Sequence, residues 1–303
     1  MKRSELIFLY DIKDNNPNGD PLDNNKPRID EETNINIVTD VRLKRTIRDY
    51  LQSYKGQEIF VREIRNEKGN VQDAKARARD FGNTKEEAVE NILKNCIDVR
   101  LFGATIPLEF KKNETGSATF TGPVQFAMGR SLHRVVLKRI KGTGGFASGE
   151  DKDNKTFREE YVLPYSLIGF YGIVNEHAAE STKLTENDLT LLLEAMWNGT
   201  KNLISRSKIG QNSRLLLRIE YKEDNYHIGD LIKRINLVSE KPDEEIKNIT
   251  DFKLDFENLL RSVKEHREEI DKIYFKKDTD IMEQPNLIEG ISQAGVSTEE
   301  LNF

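Results

Sequence analysis

Two amphipathic helical stripes, each set between short apolar runs, constrain the fold of this 303-residue chain more than any other feature. In residues 38–54, Leu43, Ile47, Tyr50, Leu51 and Tyr54 recur at helical spacing and share one face, with Thr39 or Asp40 as N-cap. The second stripe starts at Thr185, with Asp188 three residues on, and buries Leu189, Leu192, Leu193, Met196 and Trp197. Residues 4–12 are an apolar run suited to a central strand, and further strands are expected at 123–128, 132–140, 161–163, 167–174 and 215–221. The order of elements is then β, α, insertion, β, hairpin, β, α, β. That is an α+β chain of ferredoxin-like or RRM-like order (βαββαβ), two split halves on one antiparallel sheet.

Two regions stand outside this frame. Residues 55–120 alternate apolar runs with charged loops and hold one capping box, Thr84 with Glu87, ahead of Ala88, Ile92, Leu93 and Cys96. They read as an insertion with its own small structure. Residues 222–303 read as an acidic, largely helical region packing on the core, with Phe256, Leu259, Leu260, Val263, Ile270 and Ile273 marking one amphipathic helix.

Charge becomes informative only when it is located. The net charge of −5 argues against a nucleic-acid partner, but residues 220–303 hold 12 Lys and Arg against 21 Asp and Glu, leaving the remainder basic. Residues 115–149 contain no acid and carry Arg130, Arg134, Lys138, Arg139 and Lys141; residues 195–219 contain none and carry Lys201, Arg206, Lys208, Arg214 and Arg218. In residues 38–54, Arg42, Lys44, Arg45 and Arg48 fall opposite the apolar stripe. The ordinary reading of such a face is a solvated helix surface. Local basic surface, and not net charge, decides whether a phosphate backbone docks.

Other chemistries find little support. The loop from Asp14 to Asp20 begins like a calcium loop but has Leu22 and Asn25 where ligands are needed. Gly142 to Ala147 matches a dinucleotide fingerprint, yet no helix opens after it; a flexible basic hairpin tip carrying Phe146 fits better. The four histidines sit in unrelated segments, and Cys96 is the only cysteine, so no metal site and no cofactor is expected. Asp14, Asp20, Asp23 and Asp30 leave open a metal-dependent endoribonuclease. Gly169 to Gly172 resembles an RRM motif but lacks its spacing and leading basic residue. The N-terminal apolar run, 6–10, is too short for a secretory or membrane segment. A cytoplasmic chain with no membrane partner is expected.

Several motifs carry a sharper likeness. Tyr10-Asp11-Ile12, Asn16-Pro17-Asn18-Gly19-Asp20-Pro21, Pro27-Arg28-Ile29-Asp30 and the run from Val38 to Tyr50 come first. The runs from Asp98 to Gly103 and Thr121 to Phe126, and Ser205-Arg206-Ser207-Lys208, follow in order. Over roughly residues 3–221 the chain resembles the guide-RNA-binding backbone proteins of type I Cascade complexes, within the RAMP superfamily and nearest the subtype I-B branch. The resemblance implies a hand: an RRM-like palm (1–54 and 121–221), a finger insertion (55–120) and a long β-hairpin thumb (about 131–165). It also implies a non-catalytic subunit that oligomerises along crRNA, contacts other Cascade subunits and presents the guide for pairing with target DNA in antiviral defence. The RNA-binding residues expected are Asn18, Arg28, Arg42, Lys44, Arg45, Arg48, Gln125, Arg130, Arg134, Lys138, Arg139, Lys141, Phe146, Lys201, Arg206, Lys208 and Arg214. The endoribonuclease and a stand-alone RRM-type RNA chaperone are the competing readings.

Overall fold

The first strand, β1 (Ser4–Asn15), is buried on both faces, which is why its sequence reads as a continuous apolar run rather than an alternation. The computed structural model describes residues 1–66, 68–110, 116–147 and 155–303, without the side chains of 143–147 and 155–158. After β1 come β2 (Gly19–Asp20), β3 (Lys26–Pro27), β4 (Ile35–Val38) and α1 (Asp40–Lys55). Then follow α2 (Ala74–Arg79), α3 (Lys85–Asn95), α4 (Ile97–Phe102), β5 (Gly103–Pro107) and β6 (Ser117–Thr121). Next are β7 (Val124–Phe126), β8 (Gly129–Arg134), β9 (Lys138–Ala147), β10 (Lys155–Val174), α5 (Glu176–Thr182), α6 (Glu186–Lys201) and β11 (Asn212–Tyr221). The chain continues through β12 (Asn236–Val238), β13 (Lys253–Asp255), α7 (Glu257–Glu265), β14 (Ile270–Lys277), α8 (Leu287–Gln293) and β15 (Ser297–Glu300).

The main sheet runs β15-β14-β11-β1-β10-β8-β4, with β7 and β9 also pairing with β10. Leu6, Phe8, Tyr10 and Ile12 of β1 share a core with Leu43, Ile47 and Leu51 of α1 and Leu189, Leu192, Met196 and Trp197 of α6. Ile7 and Leu9 point the other way, into a second core with Leu217 and Ile219 of β11 and Leu231, Phe252, Phe256, Leu259 and Val263. The sheet is therefore covered on both faces, by helices on one side and by the C-terminal region on the other. A third core, with Phe60, Ala78, Ile92, Leu93, Cys96, Val99 and Ile106, lies in the segment between α1 and β7.

Several expectations need correction. The helix expected to reach Ile273 ends at Glu265, and Ile270 and Ile273 belong to β14. The exposed edge of β11 takes β14 as a partner, so pairing overrides a spacing that also suits a helix. The C-terminal region is thus not largely helical; it adds two strands to the main sheet and holds the β12–β13 ribbon. The single strand expected over 132–140 is two, because Val135 turns into the core with its amide donating to Asn34 O (2.9 Å) and β9 leaves the main sheet to pair with the outer part of β10. The two strands expected at 161–163 and 167–174 are one, running through Pro164; the partners around it are Leu163 with Asn15 and Tyr165 with Lys13, so the imide nitrogen falls at a gap in the ladder. The glycine-rich stretch expected as a loop is strand as far as Ala147; its remainder and the Phe146 side chain lie outside the described residues. Tyr54, placed in the buried stripe, is 58% exposed and stacks on Tyr50.

Candidate nucleic-acid interface

Two loops meet at the start of α1. The Asn16 amide donates to Ser207 O (3.1 Å), and Asn15 Nδ2 donates to Ile209 O (2.6 Å). Lys208 Nζ reaches back to Asn16 O (2.7 Å) and Pro17 O (3.2 Å). Asn18 braces the helix entrance: its Oδ1 accepts from the Thr39 amide (2.9 Å) and hydroxyl (3.0 Å), and Thr39 Oγ1 caps the Arg42 amide (3.2 Å). Arg42 Nη2 donates to Thr46 Oγ1 (3.0 Å).

The electrostatics of this junction are unusual. Arg42 and Lys208 are both half-buried, and neither pairs with a carboxylate among the described residues. Burial, and then the positive charge of Arg42, pulls the Lys208 ammonium down to about 8. Burial likewise lowers the Arg42 guanidinium. Asn16 Oδ1, Arg28 Nε, Arg42 Nε and Gln211 Nε2, on the same two loops and the strand and helix they lead to, are buried with no hydrogen-bond partner among the described residues. Buried donors beside unpaired cations are matched by an anionic oxygen, which accepts from both at once. A phosphodiester backbone supplies such oxygens repeatedly.

The other expected residues divide by what tertiary contact does to them. Arg214 is buried, with Asp11 at 2.9 Å and Asp278 at 2.7 Å; it holds β11 to β1 and to the C-terminal region and is not a surface cation. Arg48 is similarly occupied, on the fully buried Asp98 (2.9 Å) and over the Phe102 ring. Lys44 is nearly covered, between Asp40 and Gln125, whose Oε1 accepts from it at 3.0 Å. On the surface, Arg28 pairs with Asp20 (2.7 Å), Arg45 with Asp49 (2.8 Å), Arg130 with Asp30 (3.6 Å) and Arg206 with Glu160 (3.3 Å). Arg139 pairs with Glu159, and Arg134 meets Asp243 and Glu244. The acid-free windows are thus not acid-free in space. Of the expected cations, Arg42, Lys138, Lys141, Lys201 and Lys208 have no carboxylate ion pair among the described residues; Lys201 instead lies over the Trp197 ring.

Three of the four early-loop acids are also engaged: Asp20 with Arg28, Asp23 with Lys26, and Asp30 with the amides of Glu32 and Thr33. No group of three His, Cys, Asp or Glu side chains among the described residues is placed to hold a metal ion. His133 is buried; its Nε2 accepts from the Leu167 amide (3.3 Å) and its Nδ1 donates to Arg134 O (2.9 Å), while burial holds the imidazole below its usual range. The glycine fingerprint lies on β9 as far as Ala147, and residues 148–154 that follow it lie outside the described residues. No helix among the described residues is long and apolar enough to cross a membrane.

Sequence reasoning did not single out Asn16 and Gln211 as site residues. Asn16 had a usable signal, since it lies in the same Asn-Pro-Asn-Gly segment as Asn18. Gln211 had none, because its burial depends on the loop that docks against Asn15 and Asn16.

Comparison with known proteins follows this geometry. The family described as CRISPR-associated protein Cas7 matches residues 2–257. A CRISPR-associated protein Cas7 from Haloferax volcanii is 33% identical over 310 residues, spanning 92% of this chain and 87% of the relative. A chain of a solved CRISPR RNA-guided surveillance complex in a pre-nicking state shares the fold with a TM-score of 0.56 at 11% identity, covering 97% of this chain and 99% of that one. A chain of another CRISPR RNA-guided surveillance complex gives 0.50 at 13% identity, with 97% and 98% covered.

Proposed function

The chain belongs to the CRISPR-associated protein Cas7 family, and from that premise we propose that it is the non-catalytic guide-binding backbone subunit of a type I CRISPR surveillance complex. Copies of it line the spacer of a crRNA, other subunits of the complex join them, and the guide is presented for pairing with target DNA. The observation that carries this reading is the junction of Arg42, Lys208 and Gln211, where half-buried cations have no carboxylate partner and the buried donors Arg42 Nε and Gln211 Nε2 have no hydrogen-bond partner among the described residues. Such a junction binds phosphate oxygens without reading bases, as a carrier of changing guide sequences requires.

The same proposal assigns the parts of the hand. The four strands β11-β1-β10-β8, in that spatial order and with α1 and α6 on one face, correspond to the RRM-like palm. The segment 55–120 with its separate core corresponds to the fingers, and the β9–β10 ribbon to the thumb. The covered second face of the sheet leaves no open platform for base stacking of the usual RRM kind.

The test is salt-dependent binding of a short single-stranded RNA to the isolated subunit. Five candidate cations free of carboxylate ion pairs predict a slope of log K against log[salt] of about −3.5, from roughly 0.7 per phosphate on a single strand. Arg42→Ala and Lys208→Ala should each flatten it by about 0.7. A flat response, or strict preference for one short sequence, refutes the reading.

A further inference from the structure

Leu22 is 98% exposed, more than any other large hydrophobic residue among those described. A single exposed leucine is ordinary on a protein surface. This one differs in how rigidly it is displayed and in what it stands beside. It sits at the tip of the turn joining β2 to β3. The Asn25 and Asp23 amides donate to Asp20 O (2.8 and 3.1 Å), the Lys26 amide donates to Asp23 O (2.9 Å), and Asp20 Oδ1 accepts from the Leu22 amide itself (3.0 Å). Asn24 and Asn25 adopt left-handed backbone (φ 49 and 55), which asparagine tolerates better than most residues. At Gly19 a Cβ would lie 2.1 Å from Asn25 Oδ1, so the glycine lets the turn close on itself.

That turn is built into the cationic junction. Asn16 Nδ2 donates to Asn25 O (2.6 Å), while the carbonyl of the same Asn16 accepts from Lys208. Asp20, which anchors the turn, pairs with Arg28, whose Nε is one of the unpartnered buried donors. The hydrogen-bonded turn that displays Leu22 is thus joined to Lys208 through the two ends of one residue, Asn16. Nucleobases present apolar faces, and an aliphatic side chain held without rotational freedom of its backbone covers one at little entropic cost. We propose that Leu22 is a base-packing element of this site, covering one nucleobase face of the single-stranded RNA held at the Arg42–Lys208 junction. The inference rests on the RNA-binding reading above and adds to it a contact that is apolar, sequence-tolerant and independent of salt.

The experiment uses the isolated full chain and an eight-nucleotide RNA carrying 2-aminopurine at successive positions. Leu22→Ser is expected to weaken binding by about five- to tenfold, the loss of a partly buried leucine side chain. The salt slope should stay at the wild-type value, and the environment-sensitive fluorescence at one position should be lost. Leu22→Met should restore both. Unchanged affinity and fluorescence in Leu22→Ser, with circular dichroism matching wild type, overturns the proposal. So does unchanged binding of the short RNA combined with lost cooperativity on a long one, which assigns the leucine to a second copy of the chain. Failure of Arg42→Ala and Lys208→Ala to alter the slope counts against the junction instead, whereas absence of RNA binding by the wild-type chain overturns both readings.

Discussion

Replacing Asp98 with alanine separates the two roles open to Arg48, a grip on phosphate and a brace within the fold. The Asp98 carboxylate is fully buried and accepts from the Phe60 amide (2.7 Å), the Val61 amide (3.1 Å) and Arg48 Nε (2.9 Å). It therefore ties α1 to the segment that begins the third core. Deleting it strands a buried N–H, a part-buried N–H and a guanidinium whose side chain is only 13% exposed. Breaking a buried ion pair from one side costs about 3–5 kcal/mol, a figure that already contains most of the amide loss, so we take about 4 kcal/mol as the total. At about 2 °C per kcal/mol for a chain of this size, the melting temperature should fall by about 8 °C. Arg48→Ala should also lower the melting temperature, by less, since two amides still hold the carboxylate. It should leave the salt slope of RNA binding unchanged. Thermal unfolding followed by near-ultraviolet circular dichroism, with the salt titration alongside, reads both quantities. The reasoning fails if Asp98→Ala melts within about 2 °C of wild type, a shift worth only ~1 kcal/mol. It fails equally if Arg48→Ala flattens the slope as much as Arg42→Ala does.

Two further outcomes follow from single positions. Burial lowers Lys208 to about 8, below its unfolded value near ~10.4. The unfolded chain thus binds the extra proton across that window, and the RNA-free chain should gain stability as pH rises from about 8 to 10. Phosphate favours the charged form, so RNA affinity should instead fall about tenfold between pH 7 and 9 in wild type and stay level in Lys208→Arg, as titrated by fluorescence anisotropy. At Gly122 an added Cβ would lie 2.1 Å from both the carbonyl carbon and the oxygen of Phe102, so Gly122→Ala should destabilise by about 1–3 kcal/mol in denaturant unfolding. Gly142→Ala, with nothing within 4 Å of the added atom, should not.

The residues that carried the family resemblance prove to have different physical duties. Asp98 and Gly103 lie in one motif and Gly122 in another, and the structure brings the last two together: a Cβ on Gly103 would meet Gly122 N at 2.4 Å. Those motifs serve the junction between cores. Asn16, Asn18 and Lys208, from the two loop motifs, build the cationic site.

The sequence by itself determined the elements whose burial is periodic along the chain. α1 and α6 were legible because each buries a face set by its own repeat, β1 because burial on both faces makes it a continuous apolar run, and Thr39 and Thr185 cap their helices through hydroxyls bonded only three residues away. Tertiary structure alone decided what lacks local periodicity. Strand β14 exists because β11 offers it an unpaired edge, and no spacing in 270–277 announces that edge. Charge behaved in the same way. Two windows without an acid predicted free cations, yet Arg134 meets Asp243 from 109 residues away and Arg214 is enclosed by Asp11 and Asp278. Ion pairing acts through space over a few ångströms and is indifferent to chain distance. A run of basic residues therefore shows where cations are placed along the chain, and only the fold shows which of them remain free for a phosphate.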